Sequence, residues 1–216
     1  MKNELYLNTI SPLLIEILND LMDMKEFEMF RLVGGTALSL QLGHRLSVDI
    51  DLFTSAEYGT VNFDKIDNCL KAKYQYVSSL NIQPLGMGKS YFIGNSQNDC
   101  IKLDLYYTDD FVDEILLINK IRFASIEEII AMKMDVILRG GRKKDFWDIH
   151  ELRIDYTFQE MINLHARRYS YIHDEQLLKK QFINFTNADD DFEPICLKGK
   201  DWEFVKMDLI RFADLK

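Results

Sequence analysis

The sequence is poor in the residues that define several protein classes. Its three cysteines, Cys69, Cys100 and Cys196, are far apart and odd in number. That excludes a disulfide framework and any paired-cysteine metal spacing, and it fits a reducing compartment. Proline occurs only three times, so glycine must do most of the punctuation. No apolar run is long enough to span a bilayer. The N-terminus has no basic segment leading into an apolar stretch and a small-residue cleavage site. The expectation is a soluble, cytoplasmic protein with no membrane partner. The histidines, His44, His150, His165 and His173, show no metal-ligand spacing and are read as structural. Repeats and low-complexity tracts are absent. Positive charge is also short: 26 lysines and arginines stand against 35 aspartates and glutamates, a net charge of −9. Such a chain cannot coat nucleic acid non-specifically, so a nucleic-acid substrate would need a local basic patch.

With 47% hydrophobic residues over 216 positions, the chain can bury a real core. Ser11-Pro12 reads as the cap and first residue of a helix running to about Lys25, with Leu14, Ile17, Leu18, Leu21 and Met22 at helical spacing. Phe30 to Val33 reads as a short strand ending at Gly34-Gly35, and 36–43 as a short helix. Leu46 to Phe53 alternates as a strand, 63–73 as a helix, and 74–85 with 90–93 as a hairpin around Gly86-Met87-Gly88. Ile101 to Tyr107 is a further strand. Ser125 with Glu128 forms a capping box that opens a helix stopping at Gly140-Gly141, and a second helix starts near Asp145. The rest is mainly helical, broken by Asp189-Asp190-Asp191. The order predicts a mixed α/β half, residues 1–124, and a helical half, residues 125–216. Trp147 and Trp202 lie in helical patterns and are read as core anchors.

Side chains alternate along a strand, so Ser47, Asp49 and Asp51 share one face, while Val48, Ile50 and Leu52 take the packed one. Carboxylates two residues apart lie about 6–7 Å apart at the backbone and can converge on one hard cation. Without a cation their charges repel. An isolated Asp-x-Asp is more often a solvated face. The context raises its weight. Gly34, Gly35 and Thr36 sit at a strand-to-helix turn, where backbone N–H groups and the helix dipole favour phosphate. Asp104 on the later strand completes a three-carboxylate set if the two strands are neighbours; otherwise it is an exposed position beside Lys102. Three carboxylates suit two-metal phosphoryl chemistry. Lys133 falls inside the apolar stripe of Ile126, Ile129, Ile130, Met134 and Ile137. It either snorkels or aims its ammonium into a cleft. Arg139, Arg142, Lys143 and Lys144 form a basic run. Asp145 and Asp148 follow on one helix face, with Asp145 able to orient Lys133 or Lys144 or to serve the incoming hydroxyl.

Gly34-Gly35-Thr36-Ala37-Leu38 followed by Arg45-Leu46-Ser47-Val48-Asp49-Ile50-Asp51-Leu52 resembles the first motif of the AbiEii/AbiGii toxin family. That family belongs to the DNA polymerase β-like nucleotidyltransferase superfamily. Leu103-Asp104-Leu105 resembles the strand of the superfamily's third carboxylate, and Ser125 to Leu152 resembles the later motifs, with Lys133 and Lys144-Asp145-Phe146-Trp147-Asp148 at the matching positions. The likeness covers about residues 30–155 and, weakly, the tail around Trp202. Thr36 stands where many superfamily members carry a nearby serine.

The resemblance implies an α+β fold, a polymerase β-like mixed sheet flanked by helices and followed by a helical half. It implies transfer of a nucleotidyl group from a nucleoside triphosphate with Mg²⁺ or Mn²⁺. Asp49, Asp51 and Asp104 would hold the metal, with Lys133 and Asp145 also catalytic. Gly34, Gly35, Thr36, Arg45, Ser47, Arg142, Lys144 and Asp148 would serve the nucleotide. It further implies a toxin with a cognate antitoxin and transfer RNA among the acceptors. Transfer to a protein or small molecule, a metal-dependent phosphoesterase and a catalytically silent binding module are the rival expectations.

Overall fold

The computed structural model describes residues 4–80 and 87–214. Helix α1 (Pro12–Asp23) is capped by Ser11, whose hydroxyl accepts from the Leu14 N–H at 3.1 Å, and Pro12 fills the first turn, where no N–H is needed. Strand β1 is only Arg31–Leu32. Helix α2 (Gly34–Leu42) starts two residues earlier than the sequence suggests and ends at Gly43, left-handed at φ +64°. Then come β2 (Asp49–Thr54), α3 (Phe63–Lys73), β3 (Tyr76–Leu80), β4 (Gly88–Ser96), β5 (Asp99–Tyr107), β6 (Leu116–Ile118) and β7 (Ile121–Phe123). The helical half follows as α4 (Ile126–Leu138), α5 (Lys143–Leu152), α6 (Phe158–Arg168), α7 (Glu175–Phe182), α8 (Thr186–Asp189) and α9 (Trp202–Asp214). The expected hairpin is β3 antiparallel to β4; its 81–86 portion lies outside the described residues. No helix among the described residues is long and apolar enough to cross a membrane.

The strands form one mixed sheet in the order β3-β4-β5-β2-β1-β7-β6. β2 runs parallel to β5 and β1 parallel to β7; the other pairs are antiparallel. Ile50, Leu52 and Thr54 on one face of β2 are buried, where α1 packs, while Asp49, Asp51 and Phe53 on the other are half-buried. Helix α4 rests against α2, α6 and α7. A single hydrophobic cluster joins α1, the sheet and the C-terminal helices, so both halves of the chain share one core. Trp147 and Trp202 are buried in it and stacked, ring centroids 6.2 Å apart.

Three local expectations change. The strand read as Leu46–Phe53 begins at Asp49. Residues 44–46 instead tie to the C-terminal region: the Leu46 N–H donates to Ile195 O at 2.9 Å, the Leu197 N–H to His44 O at 2.9 Å, and Arg45 bridges Cys196, while the Ser47 N–H donates to Thr9 O at 2.8 Å. Val48 is therefore 68% exposed rather than packed. The capping box at Ser125 is half a box: Ser125 accepts from the Glu128 N–H at 3.0 Å, but the Glu128 carboxylate turns to the Val112 and Asp113 N–H groups and to Arg168. Finally, the helix expected near Asp145 begins at Lys143, and Asp145 at its third position accepts from the Arg142 N–H at 3.1 Å.

Candidate active site

β2 and β5 are sheet neighbours, and their register places Asp51 directly beside Asp104 and Asp49 beside Lys102. Asp104 is thus on an interior strand, not an edge. Its Oδ2 accepts from Lys102 Nζ at 2.5 Å, while its Oδ1 is buried with no hydrogen-bond partner. Burial, followed by the negative charges of Asp104 and Asp49, pushes the Asp51 carboxyl up to about 6, against the pull of Lys133 and Lys144. Lys144 Nζ stands 4.0 Å from Asp49 Oδ2. The sheet face is therefore acidic and short of cations.

Gly34 lies over this face at φ +70°, and a Cβ there would come within 2.6 Å of Asp51 Oδ2. A Cβ on Gly35 would meet the Arg45 guanidinium at 2.2 Å. The two glycines let the start of α2 press against one side chain from each charged group. Thr36 is buried, its hydroxyl linking the Ser47 hydroxyl (2.8 Å) and the Asp49 carbonyl. That joins the helix start to the strand start.

A second set of charges lies behind the first. Asp148 is fully buried and takes a two-pronged contact from Arg45: Nε to Oδ1 at 2.7 Å, Nη2 to Oδ2 at 2.9 Å. His44 Nε2 meets its Oδ1 at 2.8 Å, and Lys133 Nζ its Oδ2 at 2.8 Å. Lys133 also donates to Asp145 Oδ1 at 2.6 Å, and Asp145 Oδ2 accepts from Arg142 Nε at 3.2 Å. Burial opposes ionisation of Asp148, but Arg45, Lys133 and the hydrogen bonds from His44 and Arg45 outweigh it and hold its carboxyl well below the usual range. Burial likewise works against the Lys133 ammonium, and Asp145 and Asp148 reverse it. Lys133 does not snorkel: it is buried, with its charge met by two carboxylates.

Two cavities open on these groups. The larger, about 310 Å³, is lined by Ser47, Val48, Asp49 and the 191–195 segment, the smaller, about 150 Å³, by Gly34, Gly35, Asp51, Lys133 and Asp145; Arg142 and Lys144 line both. Of the residues expected at the site, Gly34, Gly35, Arg45, Ser47, Asp49, Asp51, Lys133, Arg142, Lys144 and Asp145 border this cleft. Asp104 enters through its register with Asp51. Arg45 and Asp148 satisfy each other, and Ser47 and Thr36 hold the chain. Sequence reasoning passed over Lys102 as a partner of Asp104 and His44 as a partner of Asp148. It also passed over the 191–195 segment, whose only signal was an acidic run followed by Pro194. Among the described residues no group of three or more His, Cys, Asp or Glu side chains is gathered tightly enough to hold a metal ion.

Residues 16–215 match the family described as nucleotidyl transferase AbiEii toxin, type IV TA system. An uncharacterised protein of Aquifex aeolicus is 28% identical over 166 residues, which cover 74% of this chain and 75% of that protein. Among solved structures, JHP933 from Helicobacter pylori aligns with a TM-score of 0.58 and 19% identity, over 94% of this chain and 88% of that one. MenT4, a nucleotidyltransferase toxin from Mycobacterium tuberculosis, aligns with a TM-score of 0.55 and 13% identity, over 94% and 84%. At these identities the two structures speak for the fold, and the family match speaks for the activity: the chain belongs to the AbiEii nucleotidyltransferase toxin family.

Proposed function

We propose that the protein moves a nucleotidyl group from a nucleoside triphosphate to an acceptor hydroxyl, with Mg²⁺ or Mn²⁺ held by Asp49, Asp51 and Asp104. The observation that carries this reading is the parallel pairing of β2 with β5. It sets Asp51 beside Asp104, whose buried Oδ1 has no partner, on a face whose charge repulsion is only partly compensated. Lys102 and Lys144 already lean on this face as cations. The carboxylates do not close a cage by themselves, which suits an ion that completes its oxygen shell with phosphate and water. When bound, such an ion neutralises charge on the transferred phosphoryl group and lowers the pKa of the attacking hydroxyl.

The chain's own residues do the rest. The first N–H groups of α2, at Gly34, Gly35 and Thr36, favour anionic phosphate at the smaller cavity. At about 150 Å³ that cavity is below the ~300–1,000 Å³ typical of whole small-molecule sites, so it takes the triphosphate and leaves the nucleoside outside. Lys133, Arg142 and Lys144 supply positive charge there. Asp104 takes the proton of the acceptor hydroxyl. Asp145 positions Lys133, while Arg45, Asp148, Ser47 and Thr36 fix the approach of α2 and α5 to the strand. This is positioning and electrostatics, the main resources for phosphoryl-type transfer. The family match supports a toxin role opposed by an antitoxin; a cytoplasmic site of action and transfer RNA as acceptor complete the proposal.

The test is to incubate the protein with Mg²⁺, each α-labelled nucleoside triphosphate, and total transfer RNA or its own polypeptide. Label should appear on the RNA and fall steeply with Asp51→Asn. Release of free nucleotide or phosphate alone would make the protein a phosphoesterase. Neither product, with Asp49→Ala leaving nucleotide affinity unchanged, would reduce it to a binding module.

A further inference from the structure

The chain between α8 and α9 crosses the mouth of the larger cavity as a strap fastened at both ends. At its start the Asp191 carboxylate accepts from the Lys143 N–H, the first of α5, at 3.1 Å. Asp189 accepts from Trp202 Nε1 at 2.7 Å and Lys206 Nζ at 2.9 Å. At its end, Ile195, Cys196 and Leu197 are laced to His44, Arg45 and Leu46. Between these fastenings stands Phe192, 94% exposed. The ring is thus presented to solvent by a segment held in place on both sides of it. Val48, Pro194 and Ile195 add apolar surface to the same cavity, and Arg142 and Lys144 add two cations beside Asp49. The charge of Asp191 is engaged at the start of α5.

Resting on the nucleotidyl-transfer reading, we propose that the larger cavity is the acceptor subsite and that Phe192 is its specificity-determining residue, stacking the unpaired terminal base of a single-stranded nucleic acid whose backbone phosphate meets Arg142 and Lys144. An aromatic face beside cations is how single strands are held, since every base has a face to stack and every nucleotide a phosphate to pair. Three carboxylates, Asp49, Asp191 and the exposed Glu193, line the same cavity, so the positive charge is confined to the wall at Arg142 and Lys144 and only a phosphate placed there meets it. Because Arg142 and Lys144 line both cavities, the strand end and the triphosphate meet at a shared wall, at the strand that carries Asp49 and Asp51. A blunt duplex offers no free base face and leaves the ring bare.

The test uses the whole protein and a short single-stranded RNA carrying 2-aminopurine at its 3′ end. Stacking should quench the probe, and Phe192→Ala should abolish the quench and weaken binding about 5- to 150-fold, the equivalent of ~1–3 kcal/mol. Phe192→Trp should keep both, and a blunt duplex should bind no better to wild type than to Phe192→Ala. The affinity for nucleoside triphosphate should not change. Phe192→Ala protein that quenches and binds like wild type overturns the inference even while label transfer proceeds normally. The same holds if the substitution spares RNA binding but releases a protein partner. Quenching that persists in a protein transferring no label to any acceptor removes the enzymatic reading and leaves the stacking site standing.

Discussion

Asp51 on the sheet and Asp145 on α5 line the same small cavity, yet the groups they belong to are built in opposite ways. Around Asp145 and Asp148 every carboxylate oxygen meets a cation or a ring nitrogen: Arg45, Lys133, Arg142 and His44 saturate them. Around Asp51 and Asp104 like charges adjoin, one oxygen is orphaned, and the two nearby lysines cannot balance three acids. The first group spends its electrostatics inside the fold and fixes where α2, α4 and α5 meet. The second withholds them for something that arrives. A buried pair is weak evidence for net stability, but removing one partner strands the other, so the two groups should respond to mutation in opposite senses.

The largest effect belongs to the saturated group. Asp148→Asn leaves Arg45 and Lys133 each short of a counter-charge and should cost ~3–5 kcal/mol in chemical denaturation at pH 7. The Asp148 carboxyl is depressed in the folded state, so its contribution is present above the unfolded value and is lost as pH falls through the folded one. The deficit of the variant should therefore shrink below about pH 4. A deficit that stays constant into acid would mean that shape, not charge, is what Asp148 supplies.

Asp51→Asn should do the reverse. Transfer of label should fall ~10²–10³-fold, the scale seen when one preorganised electrostatic contact is deleted. Stability in metal-free buffer should rise, because the Asp51 carboxyl is raised to about 6 and penalises the fold once it ionises. The gain should be visible at pH 8 and gone by pH 4, an opposite pH dependence to that of Asp148→Asn. Loss of both activity and stability would place Asp51 with the saturated group and erase the contrast.

Gly34→Ala probes the seam between the groups. Its φ of +70° is strained for any side chain, and the new Cβ must displace the Asp51 carboxylate. A cost of ~1–3 kcal/mol is expected from the backbone strain. Activity should fall with it, in kcat and in nucleotide affinity together, since Gly34 both faces Asp51 and opens the phosphate-facing turn. A variant that loses stability alone would show that the carboxylate tolerates a new position.

How much of this could be read beforehand depends on the range of the interaction. Ser11-Pro12, the Gly140-Gly141 break and the apolar stripe of α1 are local, and they mark their elements correctly. The pairing of β2 with β5 spans some fifty residues and leaves no trace in either strand, so Asp104 could be placed beside Asp51 only conditionally. Helix geometry alone leaves Lys133 open because its partners come from α5. Val48 departs from the pattern for a related reason: the alternation from Leu46 to Phe53 is regular, but residues 44–46 are claimed by the strap at 195–197 and Ser47 by Thr9, competitors invisible in the strand itself. Glu128 looked like a capping residue until Arg168, forty positions on, recruited it. Residue types for the chemistry were legible; which acid would be satisfied and which left wanting was not, since that depends on distant partners.

The smallest effect sharpens the contrast most. Among the described residues Lys102 is the one cation hydrogen-bonded to the open group, at 2.5 Å from Asp104, and the pair is partly exposed. Partly exposed pairs are worth about 0–1 kcal/mol, so Lys102→Gln should barely move the denaturation midpoint. If Lys102 only stands in for a metal ion, its removal frees Asp104, and the Mg²⁺ concentration giving half of the thermal stabilisation should fall a few-fold. If Lys102 instead braces Asp104 in position, that concentration should rise. The first outcome makes the open group a site temporarily held by its own side chain. The second moves Lys102 and Asp104 toward the saturated group and leaves Asp49 and Asp51 as the whole of the unbalanced face.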